Sequence, residues 1–271
     1  MSTYQIVAST TDATVVAEYA ADYSTRPESY QSEAELEAEF IRQLTAQGYE
    51  LFTGRDEAAL QANLRRQLEA LNEMTFSEAE WGRFFRECLA NPGEGIVEKT
   101  RKIQVDHVQL LRRDDGSTKN VYLLDKKNIH NNRLQVAHQI TQREGAYENR
   151  YDVTVLVNGL PLVHVELKRR GVAVREAFNQ IQRYQRDSFW AASGLFEYVQ
   201  IFVISNGTHT KYYSNTTREA HLRRQGQRAA GGRGKHSSHS FEFTSFWADA
   251  HNRIIPDLVD FSKTFLRATP C

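Results

Sequence analysis

The chain has 271 residues, 40% of them hydrophobic and 25% charged, with 34 acidic side chains against 34 lysines and arginines. This is ordinary for a soluble globular protein and long enough for one substantial core. Cys88 and Cys271 have no metal or redox spacing, and the first basic residue is Arg26, so no signal peptide or membrane span is legible and a reducing cytoplasm is the expected setting.

The zero net charge hides a polarity. Residues 1–100 hold 18 acids against 8 lysines and arginines, whereas the remaining 171 hold 16 against 26. A basic C-terminal part suits a partner with a phosphate backbone. Acidic helices abutting a basic sheet would give the same count.

In chain order, residues 32–47 predict a helix, with Ser32 as N-cap, Glu35 completing a capping box and Gly48 as the stop. Leu36, Phe40, Ile41 and Leu44 form its buried stripe. Glu33 and Glu37 border that stripe. Either could look inward at a metal or simply favour the helix dipole, and Glu37 is the stronger candidate for the site. Two further helices are expected at 56–72 and 76–90, the first striped by Leu60, Leu64, Leu68 and Leu71, the second built on Phe76, Trp81, Phe84, Phe85, Cys88 and Leu89. Asn91-Pro92-Gly93-Glu94-Gly95 breaks the pattern. Strands are expected at 103–111 and 120–125, joined by a turn at Asp114-Asp115-Gly116-Ser117.

Residues 151–168 carry the chemistry. Asp152 is followed fourteen residues later by Glu166, Leu167 and Lys168, in two runs that read as paired strands around Asn158-Gly159. A two-residue turn would set Asp152 opposite Val165 and Val153 opposite His164, mixing polar and apolar residues on both faces. A three- or five-residue connection segregates them. Val153, Val155 and Val157 then share a face with Val163, Val165 and Leu167, while Asp152 faces Glu166, Thr154 faces His164, and Lys168 points the same way. That second register is the one expected. Cross-strand Cβ atoms lie about 4.5–5.5 Å apart, near enough for two carboxylates to share Mg²⁺. Lys168 could place or deprotonate a water whose pKa the metal lowers, which is the chemistry of phosphodiester cleavage. His164, facing this site, could assist the water or stand by.

A helix is expected from about Val174 to Asp187, with Val174, Ala177, Ile181 and Tyr184 buried. Gln180 and Tyr184 are neighbours on its surface, placed either to touch nucleic acid, to support the site, or to pack in the core. Strands follow at 198–204 and near 211–213. Residues 218–240 hold six basic residues against one acid and almost nothing apolar, a flexible basic insert suited to a phosphate backbone or merely solvated. The stretch at about 244–267 is amphipathic, with Phe246, Trp247, Ile254, Ile255, Leu258, Phe261 and Phe265. Gly234-Lys235 runs into His236, so no P-loop, and hence no ATP site, is present.

The chain resembles the N-terminal nuclease region of the R subunit of type I restriction-modification enzymes. The likeness spans most of its length and is carried by Ser32-Glu33-Ala34-Glu35-Leu36-Glu37, Lys99-Thr100-Arg101-Lys102-Ile103, Arg150-Tyr151-Asp152-Val153-Thr154, Val165 to Gly171, and Ser205-Asn206-Gly207-Thr208. The resemblance implies an α/β fold of the PD-(D/E)xK restriction-endonuclease-like type, a mixed β-sheet flanked by helices. It implies that Asp152 and Glu166 are metal ligands for Mg²⁺, that Lys168 is the catalytic lysine, and that Gln180 and Tyr184 are the Gln-x-x-x-Tyr pair of RecB-like nucleases. The expected organisation is an endonuclease domain over 1–217 (helical to 98, catalytic sheet from 99), the basic insert, and a helical segment over 241–271 that leads towards an absent motor domain. The expected activity is hydrolysis of double-stranded DNA to 5′-phosphate and 3′-hydroxyl ends, with methyltransferase and specificity subunits as partners, ATP used only in the full-length subunit, and no membrane. The alternatives are a catalytically silent DNA- or partner-docking fragment and a RecB-like exonuclease.

Overall fold

The structure is a computed structural model that describes residues 4–9, 14–19, 31–144, 147–189, 193–215 and 240–268. Its strands are β1 (Tyr4–Ser9), β2 (Thr14–Tyr19), β3 (Glu50–Phe52), β4 (Val108–Arg112), β5 (Thr118–Tyr122), β6 (Leu134–Glu144), β7 (Tyr147–Val157), β8 (Leu160–Leu167), β9 (Ile201–Ser205) and β10 (Thr210–Ser214). Its α-helices are α1 (Glu33–Ala46), α2 (Glu57–Leu71), α3 (Glu78–Phe84), α4 (Ile96–Gln104), α5 (Val174–Asp187) and α6 (Leu258–Thr264). Six strands form a mixed sheet in the order β10-β9-β8-β7-β6-β3, flanked by helices. Within that sheet β3 runs parallel to β6, while β6–β7 and β9–β10 are antiparallel. The expected α/β mixed sheet is present. No helix among the described residues is long and apolar enough to cross a membrane.

The chain divides into two compact units, one of residues 1–47, 165–180 and 201–268, the other of 48–164, 181–200 and 269–271. In the first, α1 forms as its sequence requires. Ser32 accepts from the Glu35 amide at 3.3 Å while Glu35 accepts from the Ser32 amide at 2.8 Å, and Leu36, Phe40 and Leu44 are buried. The Ser205–Thr208 turn is tied down by its own side chains. Asn206 Oδ1 accepts from the Thr208 and His209 amides and its Nδ2 donates to the Val172 carbonyl, while Gly207, at φ 83°, leaves room where a Cβ would lie 3.1 Å from Leu36. Within the helical segment expected over 241–271, the described residues form an α-helix only at α6. Before it the chain runs as short bridges, Tyr212↔Ser245 and Ala248↔Ile254. The basic stretch at 218–240 lies outside the described residues apart from Ser240.

In the second unit, Leu60, Leu64 and Leu68 of α2 are fully buried, as their spacing requires. The helix expected at 76–90 is α3 followed by a π-helical turn at Phe85–Leu89. The strand expected from 103 starts at Val108, because Ile96–Gln104 is helix. The signal was obscured by its lysines. Lys99 and Lys102 occupy the buried face, Lys99 bonded to Glu197 at 2.9 Å and to the Gly194 carbonyl at 2.8 Å, Lys102 to Glu94 and the Cys88 carbonyl. The strand expected from 198 begins at Ile201, after a 3₁₀ turn at Leu195–Tyr198. Strand β6, unassigned from sequence, alternates too weakly to be read, since Gln135 and Gln142 are as buried as Val136 and Ile140.

The hairpin register corrects the sequence expectation. Strand β7 ends at Val157 and β8 begins at Leu160, so the connection is two residues, Asn158 at φ 50° and Gly159 at φ 82°, the left-handed pair of a type I′ turn. At the turn Val157 therefore faces Leu160, not the partner that a three- or five-residue connection would give it. The facing of Asp152 with Glu166 no longer follows from the turn. Packing imposes this choice. Asn158 is buried, its Nδ2 donating to the Leu123 carbonyl and Asn132 Oδ1 and its Oδ1 accepting from the Arg133 amide. Gly159 lies so close to α2 that a Cβ there would stand 2.6 Å from Leu64 Cα.

Candidate active site

In the first unit, β8 delivers Glu166 and Lys168 to one place. Glu166 is fully buried, and Lys168 Nζ lies 3.5 Å from its Oε1. Strand alternation puts residues two apart on one side, which is why the Glu-x-Lys spacing brings carboxylate and ammonium together. The Lys168 amide donates to the Ser205 carbonyl at 2.8 Å, holding the end of β8 beside the tied-down Ser205–Thr208 turn. Helix α1 adds Glu33, whose Oε1 lies 3.8 Å from Lys168 Nζ. Of the two acids bordering the α1 stripe, the ion pair to Lys168 is therefore made by Glu33. Glu37 sits half-buried one turn later, and Gln180 is half-buried on α5. Arg170 donates to Gln31 at 3.0 Å and to Thr208 Oγ1 at 3.4 Å. Two carboxylates thus flank one lysine, one in a fully buried position where an ionised group needs a cationic or hydrogen-bonding partner.

In the second unit, Asp152 is half-buried on β7 and its strand is held on either side. Tyr184, buried on α5, donates its hydroxyl to the Arg150 carbonyl at 3.0 Å. Tyr151, fully buried, donates to Gln142 at 2.6 Å and meets Ser188 Oγ at 2.7 Å. His164 is fully buried in an aromatic box, its ring 5.6 Å from those of Tyr151 and Phe189 and 6.2 Å from that of Tyr184. Burial pulls its pKa down to about 4, against the opposing pull of the Asp152 charge, so the imidazole is neutral at pH 7. Of the sequence alternatives for His164, the bystander fits this burial.

Sequence reasoning missed Gln139. The β6–β7 ladder pairs His138 with Val153 and Ile140 with Tyr151, so Gln139 falls at the position across from Asp152, with a left-handed φ of 54°. A non-glycine residue in that conformation within a strand marks local strain, which gathers at functional sites. Nothing in the residue type announces it.

Residues 30–221 match the family described as type I restriction enzyme R protein N terminus (HSDR_N). The chain belongs to that family. It is 51% identical over 241 residues to the type I restriction enzyme EcoprrI endonuclease subunit of Escherichia coli, covering 89% of this chain and 71% of that protein. It is 39% identical over 247 residues to the SsaAORF53P endonuclease subunit of Staphylococcus saprophyticus, covering 89% of this chain but only 23% of that protein. The putative MjaIXP endonuclease subunit of Methanocaldococcus jannaschii is 34% identical over 121 residues, 42% of this chain and 11% of its own length. The chain thus corresponds to the N-terminal region of an R subunit. It spans most of the E. coli relative and about a quarter of the staphylococcal one. Asp152, Glu166, Lys168, Gln180 and Tyr184 all fall inside the matched span of the R-subunit family.

Proposed function

We propose that this R-subunit region is a Mg²⁺-dependent endonuclease domain with the PD-(D/E)xK arrangement, hydrolysing phosphodiesters of double-stranded DNA. The observation that carries the reading is the buried Glu166 carboxylate held 3.5 Å from Lys168, with Glu33 beyond, in a member of a restriction-subunit family. The donor set fits the metal: Mg²⁺ takes oxygen ligands, keeps several waters and is usually held by one or two carboxylates. The proposed ligands are the carboxylates of Asp152 and Glu166. Their pairing in this reading rests on the family resemblance, not on the hairpin register.

A cation bound there would lower the pKa of a water and offset charge gathering on the phosphate. Lys168, 3.5 Å from the Glu166 carboxylate, can orient the attacking water as an ammonium or take its proton as the neutral amine. Gln180 and Tyr184 hold substrate and strand from α5, and Glu37 is a further acid on the same helix as Glu33. Sequence choice would come from methyltransferase and specificity subunits in a cytoplasmic assembly, and ATP-driven translocation from regions beyond this chain.

Nicking of supercoiled plasmid tests the reading. Cleavage is expected with Mg²⁺ and not with EDTA, and Asp152→Ala, Glu166→Ala and Lys168→Ala should each lower the rate by about a hundredfold or more. Three variants that all cut like the parent would remove the assignment.

The short coverage of the staphylococcal relatives favours a second reading, a DNA- or partner-docking region that cuts only within the larger assembly. DNA binding that persists in EDTA with a steep salt dependence, with no cleavage in Mg²⁺, would select it. A RecB-like exonuclease would degrade linear but spare circular DNA.

A further inference from the structure

We propose that Tyr151 is a positioning residue for Asp152, acting through a buried hydroxyl clamp that ties β7 to β6 and to the end of α5. The inference rests on the nuclease reading and extends it to residues outside the expected site. Tyr151 is fully buried, with ring centroids at 4.3 Å to Phe196, 5.0 Å to Tyr184, 5.1 Å to Phe189 and 5.6 Å to His164. Four aromatic neighbours fix the plane of the ring. They leave its hydroxyl one direction, towards Gln142 Oε1 at 2.6 Å and Ser188 Oγ at 2.7 Å.

With the Tyr151 proton given to Gln142, Ser188 Oγ donates to the Tyr151 hydroxyl; the Ser188 amide donates to the Tyr184 carbonyl at 2.8 Å, and Tyr184 returns its own hydroxyl to the Arg150 carbonyl at 3.0 Å. A closed loop of contacts therefore runs from β7 residue 150 through α5 and back to β7 residue 151. It grips the two residues immediately before Asp152. A fully packed aromatic residue needs no hydroxyl to fill its space, since phenylalanine would serve. A buried hydroxyl is costly unless satisfied, and here it joins three separate elements.

The physical reason for such a clamp is tolerance. Metal ligands must hold their distances to within about 0.2 Å, and outer residues that orient them typically contribute 10–100-fold in metal affinity. Asp152 sits across from Gln139, whose left-handed backbone costs energy and must be held by its surroundings. The Tyr151 clamp acts beside that point of the β6–β7 ladder, because Tyr151 pairs with Ile140, the residue next to Gln139.

The test is Mn²⁺ binding to the 271-residue chain, followed by electron paramagnetic resonance of the free ion, alongside thermal unfolding and plasmid nicking. Tyr151→Phe is expected to keep the fold and weaken Mn²⁺ binding by about tenfold, with a parallel fall in cleavage at limiting metal that excess metal partly restores. Ser188→Ala reads the same clamp from the α5 side and should weaken binding by a smaller factor. Ile103→Val, a comparably mild core change in the same unit, serves as the control and should leave the affinity unchanged. Equal affinity in Tyr151→Phe and parent, or equal losses in Tyr151→Phe and Ile103→Val, would overturn the positioning role while leaving the nuclease reading intact. Asp152→Asn separates the two: if it binds Mn²⁺ as the parent does, the metal-site reading itself fails, and the clamp proposal falls with it.

Discussion

At the scale of single residues, His164 shows how environment decides role. By type and spacing it belongs with the acids and the lysine, yet it is sealed among Tyr151, Tyr184 and Phe189. Its folded pKa, about 4, lies below the value of about 6.5 expected in the unfolded chain. Between those values the unfolded state binds the extra proton, so stability is complete above pH 6.5 and is lost as the pH falls towards 4. The whole effect amounts to at most about 3 kcal/mol. Urea unfolding from pH 4 to pH 7 should show this slope in the parent and lose most of it in His164→Leu. The nearness of Glu166 and Lys168 was legible because residues two apart on a strand share a side, whereas the facing of Asp152 with Glu166 was read from a register that the two-residue turn does not keep. Tyr151, Gln139 and Ser188 were not legible, since a tyrosine, a glutamine and a serine signal nothing until their neighbours are known.

Among elements, local signals were strong where they were self-contained. Helix α1 could be drawn from Ser32, Glu35 and four apolar residues because its capping and its stripe both lie within one segment. Ser32→Ala should lower stability by about 1 kcal/mol in urea unfolding by removing an N-cap acceptor. Helix α4 went unassigned, with only 103 and 104 drawn into the expected strand, because Lys99 and Lys102 are buried by partners outside the helix, Glu197 among them. Helix α6 carries Asp260, buried and with its carboxyl pKa pushed up to about 6 by desolvation, against the nearby charge of Lys263. A carboxylate whose folded pKa is raised destabilises the protein above that value, and the penalty disappears as the pH falls below about 4. With solvent screening allowed for, Asp260→Asn should therefore gain about 1 kcal/mol at pH 7 and nothing near pH 3.5, by the same unfolding measurement. The hairpin is the clearest case of tertiary packing overriding pattern. Face segregation argued for a longer connection, while the fit of Asn158 and Gly159 against unit-internal partners imposed two residues. Gly159→Ala should cost more than about 2 kcal/mol, since it meets both a left-handed φ and the Leu64 backbone.

For the whole molecule, family membership was carried by blocks of sequence, and the mixed sheet by the alternation of strand and helix signals. The edge strand β3, three residues long, and β6, with its buried glutamines, lay below what periodicity can reveal. The acidic and basic halves remain a property of the entire chain. DNA affinity should fall steeply with salt if the basic half tracks phosphates, a dependence that a titration of binding against salt concentration would measure. Asn-Gly sequences in exposed segments age chemically, as the asparagine side chain is attacked by the following amide nitrogen and leaves an isoaspartate in the main chain. Asn158-Gly159 has that sequence, but its carboxamide is engaged by Leu123, Asn132 and Arg133 inside the fold. The native protein should therefore resist deamidation there during prolonged storage, while the urea-unfolded chain deamidates rapidly, a contrast that peptide mass spectrometry would resolve. An isoaspartate at this place would lengthen the backbone by one carbon between β7 and β8, so a chain damaged while unfolded should fail to regain its native hairpin.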